Sequence, residues 1–220
     1  MKQIKAKISD AEQGSEEWLI ERIPYVTASD VAKVMAGGQG VTRYNYLVKK
    51  LCENLSGKPV SGYRSKHMQD GNDNEAKGRE LYQLISGKEV TQIGFAYRED
   101  ERIGASTDGV VSDEGLWEHK FVIAPEQVRF IETGKIKPEY IKQMQTQMYV
   151  LERDWVDFQS TCFGDDEYGY LPEKFQVKIQ RVYRDEEMIQ RIRKECAFFH
   201  HDLNKLMEKF GYEQSITSNP

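Results

Sequence analysis

Residues 104–123, GASTDGVVSDEGLWEHKFVI, constrain the fold more than any other stretch of the chain. Two runs with strand-forming residues flank the polar segment 112–115, which is the pattern of a β-hairpin. Because side chains alternate between the two faces of a strand, Glu118 and Lys120 point the same way. Asp108 stands at the end of the strand before the turn. The sequence therefore predicts a two-stranded platform on which two carboxylates and an ammonium converge.

This grouping suits a metal-dependent phosphodiesterase. Hydrolysis of a phosphodiester needs an activated water, a stabilised leaving oxygen and neutralised phosphate charge, which two Mg²⁺ ions about 3.5–4 Å apart supply. Magnesium prefers oxygen ligands, so we expect Asp108, Glu118 and the backbone carbonyl of His119 to hold two Mg²⁺ ions, with Mn²⁺ as a substitute. Lys120 would orient or deprotonate the water. The alternative is an ordinary exposed strand, since charged residues make up 30% of the chain.

Composition sets broad limits on the class of protein. A chain of 220 residues with 39% hydrophobic content suits one domain over residues 1–220. No apolar run approaches the roughly 20 residues of a membrane span. Three scattered cysteines without a CxxC pair predict reduced thiols and a cytoplasmic location. The net charge of -5 argues against a general nucleic-acid coat protein, but not against an enzyme that acts on DNA.

The order of elements predicts an α/β fold with three layers and a mixed central sheet. In the helix at 71–87, Leu81, Leu84 and Ile85 are expected to face inward. Hydrophobic periodicity and turn signals predict helices over residues 15–23, 27–35, 44–57, 71–87, 139–153 and 185–210, and strands over residues 2–8, 89–97, 102–111, 116–123, 155–163 and 175–183.

The hairpin region resembles the PD-(D/E)xK nuclease superfamily, whose motif matches Asp108, Glu118 and Lys120. Thr107 stands where the motif name has proline, but that proline holds no metal. The resemblance implies a restriction-endonuclease-like core for this chain.

The segment WLIERIPYVTASDVAKVM resembles the N-terminal signature of the lambda-type phage exonucleases, the YqaJ-like viral recombinase family. It places Trp18, Arg22, Thr27 and Ser29 in the order found there. The resemblance implies that Arg22 and Ser29, with Thr27 beside them, bind the 5′-phosphate of a DNA end. A helix N-terminus with an arginine is chemically suited to a phosphate. The alternative is a capped helix beside a surface arginine.

A second helix, GNDNEAKGRELYQLISG, is also similar to that family and places Gly71, Glu75, Arg79 and Gly87. The resemblance implies that Glu75 is a third acidic residue near the metals, assisting catalysis. Without the resemblance, Glu75 and Arg79 would be a routine helix pair four residues apart.

A third helix, YIKQMQTQMYVLE, resembles the Q-x-Q helix of the family and the Q-x3-Y element of related nucleases. These matches place Gln143, Gln145 and Tyr149. By resemblance, Gln143 and Gln145 would bind the scissile phosphate or order the site. The alternative is that these two and Gln147 are exposed helix residues.

The matched segments lie in the order of the family and cover residues 12 to about 160. They imply a Mg²⁺-dependent 5′→3′ exonuclease that acts on double-stranded DNA ends, releases 5′ mononucleotides and leaves 3′ single-stranded overhangs for phage homologous recombination. They also imply a ring-shaped homotrimer and a single-strand annealing protein as partner. Two alternatives stay open, namely a structure-specific or restriction-type endonuclease and a non-catalytic DNA-end binding module.

Overall fold

The computed structural model describes residues 6–36, 41–60, 66–163 and 169–212, with the backbone alone for 66–73. The strands are β1 (Lys7–Ile8), β2 (Val26–Thr27), β3 (Ala96–Arg98), β4 (Ile103–Ala105), β5 (Gly109–Val111), β6 (Gly115–Phe121), β7 (Trp155–Thr161) and β8 (Val177–Tyr183). The helices are α1 (Glu16–Glu21), α2 (Val31–Val34), α3 (Val41–Ser56), α4 (Lys66–Ser86), α5 (Ala124–Thr133), α6 (Pro138–Leu151), α7 (Glu173–Gln176) and α8 (Glu186–Lys209), with a 3₁₀ turn at Ala28–Asp30.

The strands form two mixed four-stranded sheets. The first has the order β1-β3-β4-β2, in which β2 runs parallel to β4. The second has the order β5-β6-β7-β8, in which β6 and β7 are parallel and the other pairs are antiparallel. The parallel pair requires a long crossover, which α5 and α6 provide.

Two side chains interrupt the strand that was predicted over residues 102–111. The Thr107 hydroxyl donates to the backbone carbonyls of Gly109 and Trp117, at 3.2 Å each. The carboxylate of the next residue, Asp108, accepts from the backbone N–H of His119 at 2.7 Å. These bonds occupy backbone groups of β6 that a continuous partner strand would otherwise pair. The strand therefore divides into β4 and β5, and each half belongs to a different sheet.

Helix α6 is the centre of the hydrophobic core. It contacts α2, α8, β4 and the 3₁₀ turn, so residues 144–151 are buried on every side of the helix and not only on one stripe. Met144, Met148 and Leu151 are at most 1% exposed. Helix α8 covers α3 and α6 with a stripe that includes Ile192 and Phe199, both fully buried.

Helix α4 packs differently from the prediction. Leu84 and Ile85 are 80% and 58% exposed, whereas Tyr82 is fully buried. The helix rests on β6 through Gly78 and Tyr82, which lie four residues apart and therefore on one face. The prediction that Leu84 and Ile85 face inward was wrong, because the face of α4 that packs against β6 carries Gly78 and Tyr82.

Two other helices differ from their predicted bounds. The segment predicted as a helix at 27–35 is the 3₁₀ turn followed by the single turn of α2. Helix α5 falls where the prediction had a long connection. Its ends carry ordinary signals, namely Pro125 in the first turn and Gly134 at a φ of 65°, whose N–H bonds the carbonyl of Phe130.

Within the described ranges, no helix is both long enough and apolar enough to cross a lipid bilayer.

Candidate active site

Glu118 is the centre of the predicted cluster and is fully buried on β6. One of its oxygens, Oε1, accepts from the Lys120 ammonium and from the Gln143 amide, the latter at 2.7 Å. The other, Oε2, accepts from the Gln147 amide at 2.6 Å. Glu118 and Lys120 point to the same face of β6, as the alternation of side chains along a strand predicts. Helix α6 lies on that face. Three donors hold the carboxylate in one orientation.

Asp108 reaches this centre from the break between β4 and β5. Its bond to the His119 N–H aims the carboxylate at β6. Burial and the negative charge of Glu118 raise the pKa of Asp108 well above its ordinary value. A buried carboxylate whose charge is opposed by a neighbouring carboxylate forms with it an oxygen donor set that suits a divalent cation. The residues present therefore fit a magnesium site.

Lys120 lies beside both carboxylates with 24% of its side chain exposed. Burial opposes its charge, but the charges of Glu118 and Asp108 outweigh it and raise the Lys120 pKa above its ordinary value. The ammonium also lies 5.4 Å from the centre of the Tyr140 ring. The neighbouring carboxylates therefore stabilise the cationic form of Lys120. In this form the side chain can donate hydrogen bonds that orient a polar ligand.

Helix α4 brings Glu75 near the cluster. A Cβ at Gly78 would lie 2.6 Å from Nε2 of His119, so this glycine allows the helix to rest on the imidazole. Burial and the charge of Glu118 raise the pKa of the half-buried Glu75, while Arg79 lowers it. Within the described residues, however, no three His, Cys, Asp or Glu side chains are grouped to hold a metal ion. Glu75 is close enough for electrostatic interaction but does not complete a set of ligands.

The glutamines of α6 divide between two faces of the helix. Gln143 and Gln147, four residues apart, both bind Glu118. Gln145 is 1% exposed and points elsewhere, because its amide donates to the carbonyl of Tyr183 and accepts from the N–H of Asp185, at 2.8 Å each. The structure therefore does not bring Gln145 to the site as the resemblance implied.

Gln147 contacts Glu118 in the position that was expected for Gln145. It was not among the site residues predicted from the sequence. It is fully buried, and its Nε2 also donates to the carbonyl of Ser106 at 3.1 Å. Its spacing of four residues from Gln143 puts both on one face, a signal that the sequence already contained. Tyr149 lies away from Glu118, since its hydroxyl donates to Glu101.

The N-terminal motif forms a separate polar group. The guanidinium of Arg22 lies 3.8 Å from the centre of the Trp18 ring, and its Nε is buried without a partner among the described residues. Burial lowers the pKa of Arg22. A buried arginine nitrogen with no bond is costly, so this position suits an anionic ligand.

Thr27 ends β2, and Ser29 lies in the 3₁₀ turn that follows it. Their hydroxyls are 3.3 Å apart, and the Thr27 hydroxyl also donates to Asp30 at 3.2 Å. Ser29 is exposed, whereas Thr27 is 5% exposed. The turn is too short for the dipole of a full helix, so a phosphate here would depend on hydroxyls and Arg22 more than on helix N–H groups.

A family model provides the decisive comparison. The model of the YqaJ-like viral recombinase domain matches residues 17–154, a span that contains the three acidic residues, Lys120 and the N-terminal motif. The chain belongs to the YqaJ-like viral recombinase family. The predicted resemblance is therefore confirmed.

Solved structures agree with the YqaJ-like assignment. The chain is similar to an alkaline exonuclease from Laribacter hongkongensis, with a TM-score of 0.80, 36% identity and coverage of 90% of this chain and 96% of that one. A complex of that exonuclease with dAMP matches with the same TM-score, 37% identity and coverage of 89% and 96%. A phage-related exonuclease from Haemophilus somnus shares the fold, with a TM-score of 0.67 at 17% identity over 84% and 96% of the two chains.

A further relative is much longer than this chain. The uncharacterized protein R354 of Acanthamoeba polyphaga mimivirus is 30% identical over 166 residues, or 69% of this chain. The chain spans only 29% of that relative. The structural matches confirm the predicted restriction-endonuclease-like α/β fold with mixed sheets.

Proposed function

We propose that this chain is a Mg²⁺-dependent 5′→3′ exonuclease that releases 5′ mononucleotides from double-stranded DNA ends. It would leave 3′ single-stranded overhangs for phage recombination in the cytoplasm of the host cell. The observation that carries the proposal is the buried Glu118, which is held by Lys120, Gln143 and Gln147 while Asp108 approaches it from the break in the strand.

The chain is a deoxyribonuclease, given its family and its likeness to an alkaline exonuclease over nearly all of both chains. What we propose beyond this is the metal, the duplex substrate and the 5′→3′ polarity. The acidic net charge of -5 is compatible with a DNA substrate because bound divalent cations invert the local charge at a carboxylate site.

Asp108 and Glu118 would hold the metal, with the backbone carbonyl of His119 beside them and Glu75 nearby. When bound, Mg²⁺ neutralises phosphate charge and favours the ionised form of a coordinated water. The raised pKa of Asp108 supports this assignment, because burial and the charge of Glu118 oppose its ionisation and a bound cation would offset both.

The side chains around Glu118 would orient the reacting groups. Lys120, which already contacts Glu118, would donate to the attacking water or to a phosphate oxygen and so orient the reacting groups. Gln143 is half-buried and would contact the scissile phosphate. Gln147 is fully buried and would act as a positioning residue, because it fixes Oε2 of Glu118.

Arg22, Thr27 and Ser29 would bind the terminal 5′-phosphate. The buried, unbonded Nε of Arg22 supports this role, whereas the carboxylate of Asp30 beside Thr27 opposes it. Lys33 offsets that carboxylate through an ion pair of 2.6 Å. We also propose a homotrimer, and a single-strand annealing protein as partner.

A cleavage assay tests the function. The substrates are a linear duplex with one labelled, 5′-phosphorylated end and a covalently closed circular duplex, each with Mg²⁺ or EDTA. We expect Mg²⁺-dependent release of 5′ mononucleotides from the linear duplex, and an intact circle. Cutting of the circle would identify an endonuclease, and end binding without cleavage would identify a binding module.

Variants connect the activity to the site. Asp108→Asn and Lys120→Ala should abolish release while DNA binding persists. The matched control is Asp113→Asn, which makes the same chemical change in the exposed turn of the same hairpin and should leave release unchanged. Equal activity in Asp108→Asn and the parent protein would refute the assignment.

A further inference from the structure

A small apolar cavity lies next to the candidate active site. Its volume is about 110 Å³, and it lies between α5, the turn before α6 and strand β7. Carbon atoms dominate its walls, which are formed chiefly by Val122, Phe130, Ile136, Tyr140 and Phe158. Tyr140 and Phe158 stack with ring centres 5.9 Å apart. The cavity is thus lined with aromatic surface on one side.

The strand register places this cavity one strand away from the catalytic groups. Glu118 pairs with Phe158 and Lys120 pairs with Ser160 across the parallel β6–β7 ladder, and both Phe158 and Ser160 line the cavity. Paired residues on neighbouring strands face the same side at a spacing of about 4.8 Å. Tyr140 completes the connection, because its ring also faces the Lys120 ammonium.

Three cationic side chains and one carboxylate, that of Glu126, line the cavity. Arg129 and Lys135 are exposed at its rim. Lys137, also at the rim, bonds Glu126 at 2.8 Å and lies 5.5 Å from the centre of the Tyr140 ring. An apolar, aromatic cavity with a cationic rim is complementary to a nucleotide, whose base is flat and apolar on its faces and whose phosphates are anionic.

We infer that this cavity receives the base of the nucleotide on the 3′ side of the scissile phosphate. The inference rests on the proposed function and names a subsite within it. Thr27 ends β2, which pairs with β4, and the chain continues from β4 into β5, the neighbour of β6 on one side. The cavity adjoins β7, the neighbour of β6 on the other side. A strand with its terminal phosphate at Ser29 and its first internal phosphate at Glu118 therefore continues towards β7.

The dimensions and the chemistry of the cavity favour a stacked base without sequence selection. The volume of about 110 Å³ is smaller than the roughly 150 Å³ of an engineered cavity that holds benzene, so the cavity takes the edge of a base while the rest of the base lies across its open side. The hydroxyl of Ser160 donates to Gln127 at 2.5 Å and is already engaged. Stacking on Tyr140 and Phe158 serves every base equally, which suits an enzyme that must degrade any sequence.

Single-turnover release of the terminal nucleotide tests the subsite. The substrates are 5′-phosphorylated duplexes that carry an abasic residue either at the second nucleotide or far inside the duplex. Loss of one stacked base should slow the parent protein about 10-fold only for the first substrate. Ile136→Phe fills the cavity and should slow release from intact DNA about 10-fold, with no further loss when the second base is removed.

Controls separate the subsite from the fold and from the proposed function. Val128→Phe adds the same bulk on the exposed face of α5, where the side chain is 48% exposed, and should behave as the parent. Val122→Phe fills the cavity from another wall if Ile136→Phe fails to fold. An abasic penalty that is absent in the parent, or undiminished in the filled variants, would overturn the subsite alone. Without Mg²⁺-dependent, Asp108-dependent release, the proposed function itself would fail.

Discussion

At the scale of single residues, Gln145 and Gln147 provide a matched comparison. Both are buried on α6, and both bond groups outside their helix, but only Gln147 touches Glu118. Replacement by Leu leaves buried polar groups unpaired in either case, at a cost of about 1–3 kcal/mol. Gln147→Leu should also lower activity about 10- to 100-fold, because it releases the carboxylate that we propose holds the metal.

The comparison requires two measurements on each variant. Thermal unfolding should show similar destabilisation in Gln145→Leu and Gln147→Leu. Nucleotide release, measured well below the melting temperature, should fall only in Gln147→Leu. If both variants lose activity in proportion to their stability, then Gln147 is structural and has no special role at the site.

Without a metal ion, the charge of Asp108 should lower the stability of the protein. Asn at this position keeps an oxygen that accepts from the His119 N–H, and it removes the repulsion from Glu118. In EDTA we expect Asp108→Asn to unfold about 2–4 °C higher than the parent, as a gain of about 1 kcal/mol implies for a chain of this size. Mg²⁺ should raise the melting temperature of the parent and not that of the variant. A lower melting temperature for Asp108→Asn in EDTA would count against mutual repulsion.

How far the site could be predicted also depends on single residues. Alternation along β6 was enough to place Glu118 and Lys120 together, because a strand has only two faces. The motif alone did not decide between Gln145 and Gln147. The four-residue spacing from Gln143 favoured Gln147, and the rotation of α6 against β6 decides which side chain reaches Glu118. That rotation is set by the burial of Met144 and Met148, which are both fully buried.

At the scale of elements, α4 reaches β6 at Gly78. Gly78→Ala would place a methyl group 2.6 Å from the His119 ring, so the helix must shift. We expect a loss of about 1–3 kcal/mol in unfolding free energy, and lower nuclease activity because Glu75 moves with the helix. Chemical denaturation measures the first effect and nucleotide release the second.

A second substitution provides the control for this contact. In a His119→Ala background the ring is gone, so Gly78→Ala should cost much less than it does in the parent. An exposed change on the same helix, Glu80→Ala, should be nearly neutral. Equal costs of Gly78→Ala in both backgrounds would mean that the imidazole is not what limits the approach of α4.

The elements themselves were predictable where local signals and burial agreed. Helix α1 begins after Ser15, whose hydroxyl accepts from the Trp18 N–H at 3.1 Å, and it lies within the predicted helix over residues 15–23. The strand over residues 102–111 could not be divided in advance, because its interruption depends on bonds from Thr107 and Asp108 to β6. Those bonds are tertiary, so no local pattern of the segment specifies them.

At the scale of the whole molecule, a buried histidine predicts how stability depends on pH. His200 is 5% exposed, and its Nε2 bonds the carbonyl of Arg102 at 3.0 Å. Burial lowers the pKa of His200 to about 3. The unfolded chain binds this proton below about pH 6.5, so the stability gained from neutral His200 is complete above that value and is lost as the pH falls towards 3.

The expected loss at pH 5 is about 2 kcal/mol from this one group. Urea unfolding at pH 8 and pH 5 measures it. His200→Gln should show a smaller difference between the two pH values, whereas His201→Gln, at the exposed neighbouring position, should match the parent. An unchanged difference in His200→Gln would assign the acid sensitivity to other groups.

The parallel pairing of β6 with β7 also determines when the active site can exist during folding. Phe121 ends β6 and Trp155 begins β7, so the whole of α5 and α6 must be in place before the ladder closes. Contacts of such sequence separation form late, because the entropy of closing the loop opposes them. The contacts of Glu118 with Gln143 and Gln147 also require α6, which lies between the two strands in the chain. A chain still emerging from the ribosome, with β6 made and α6 not yet made, would therefore carry its acidic residues without the arrangement that makes them a nuclease.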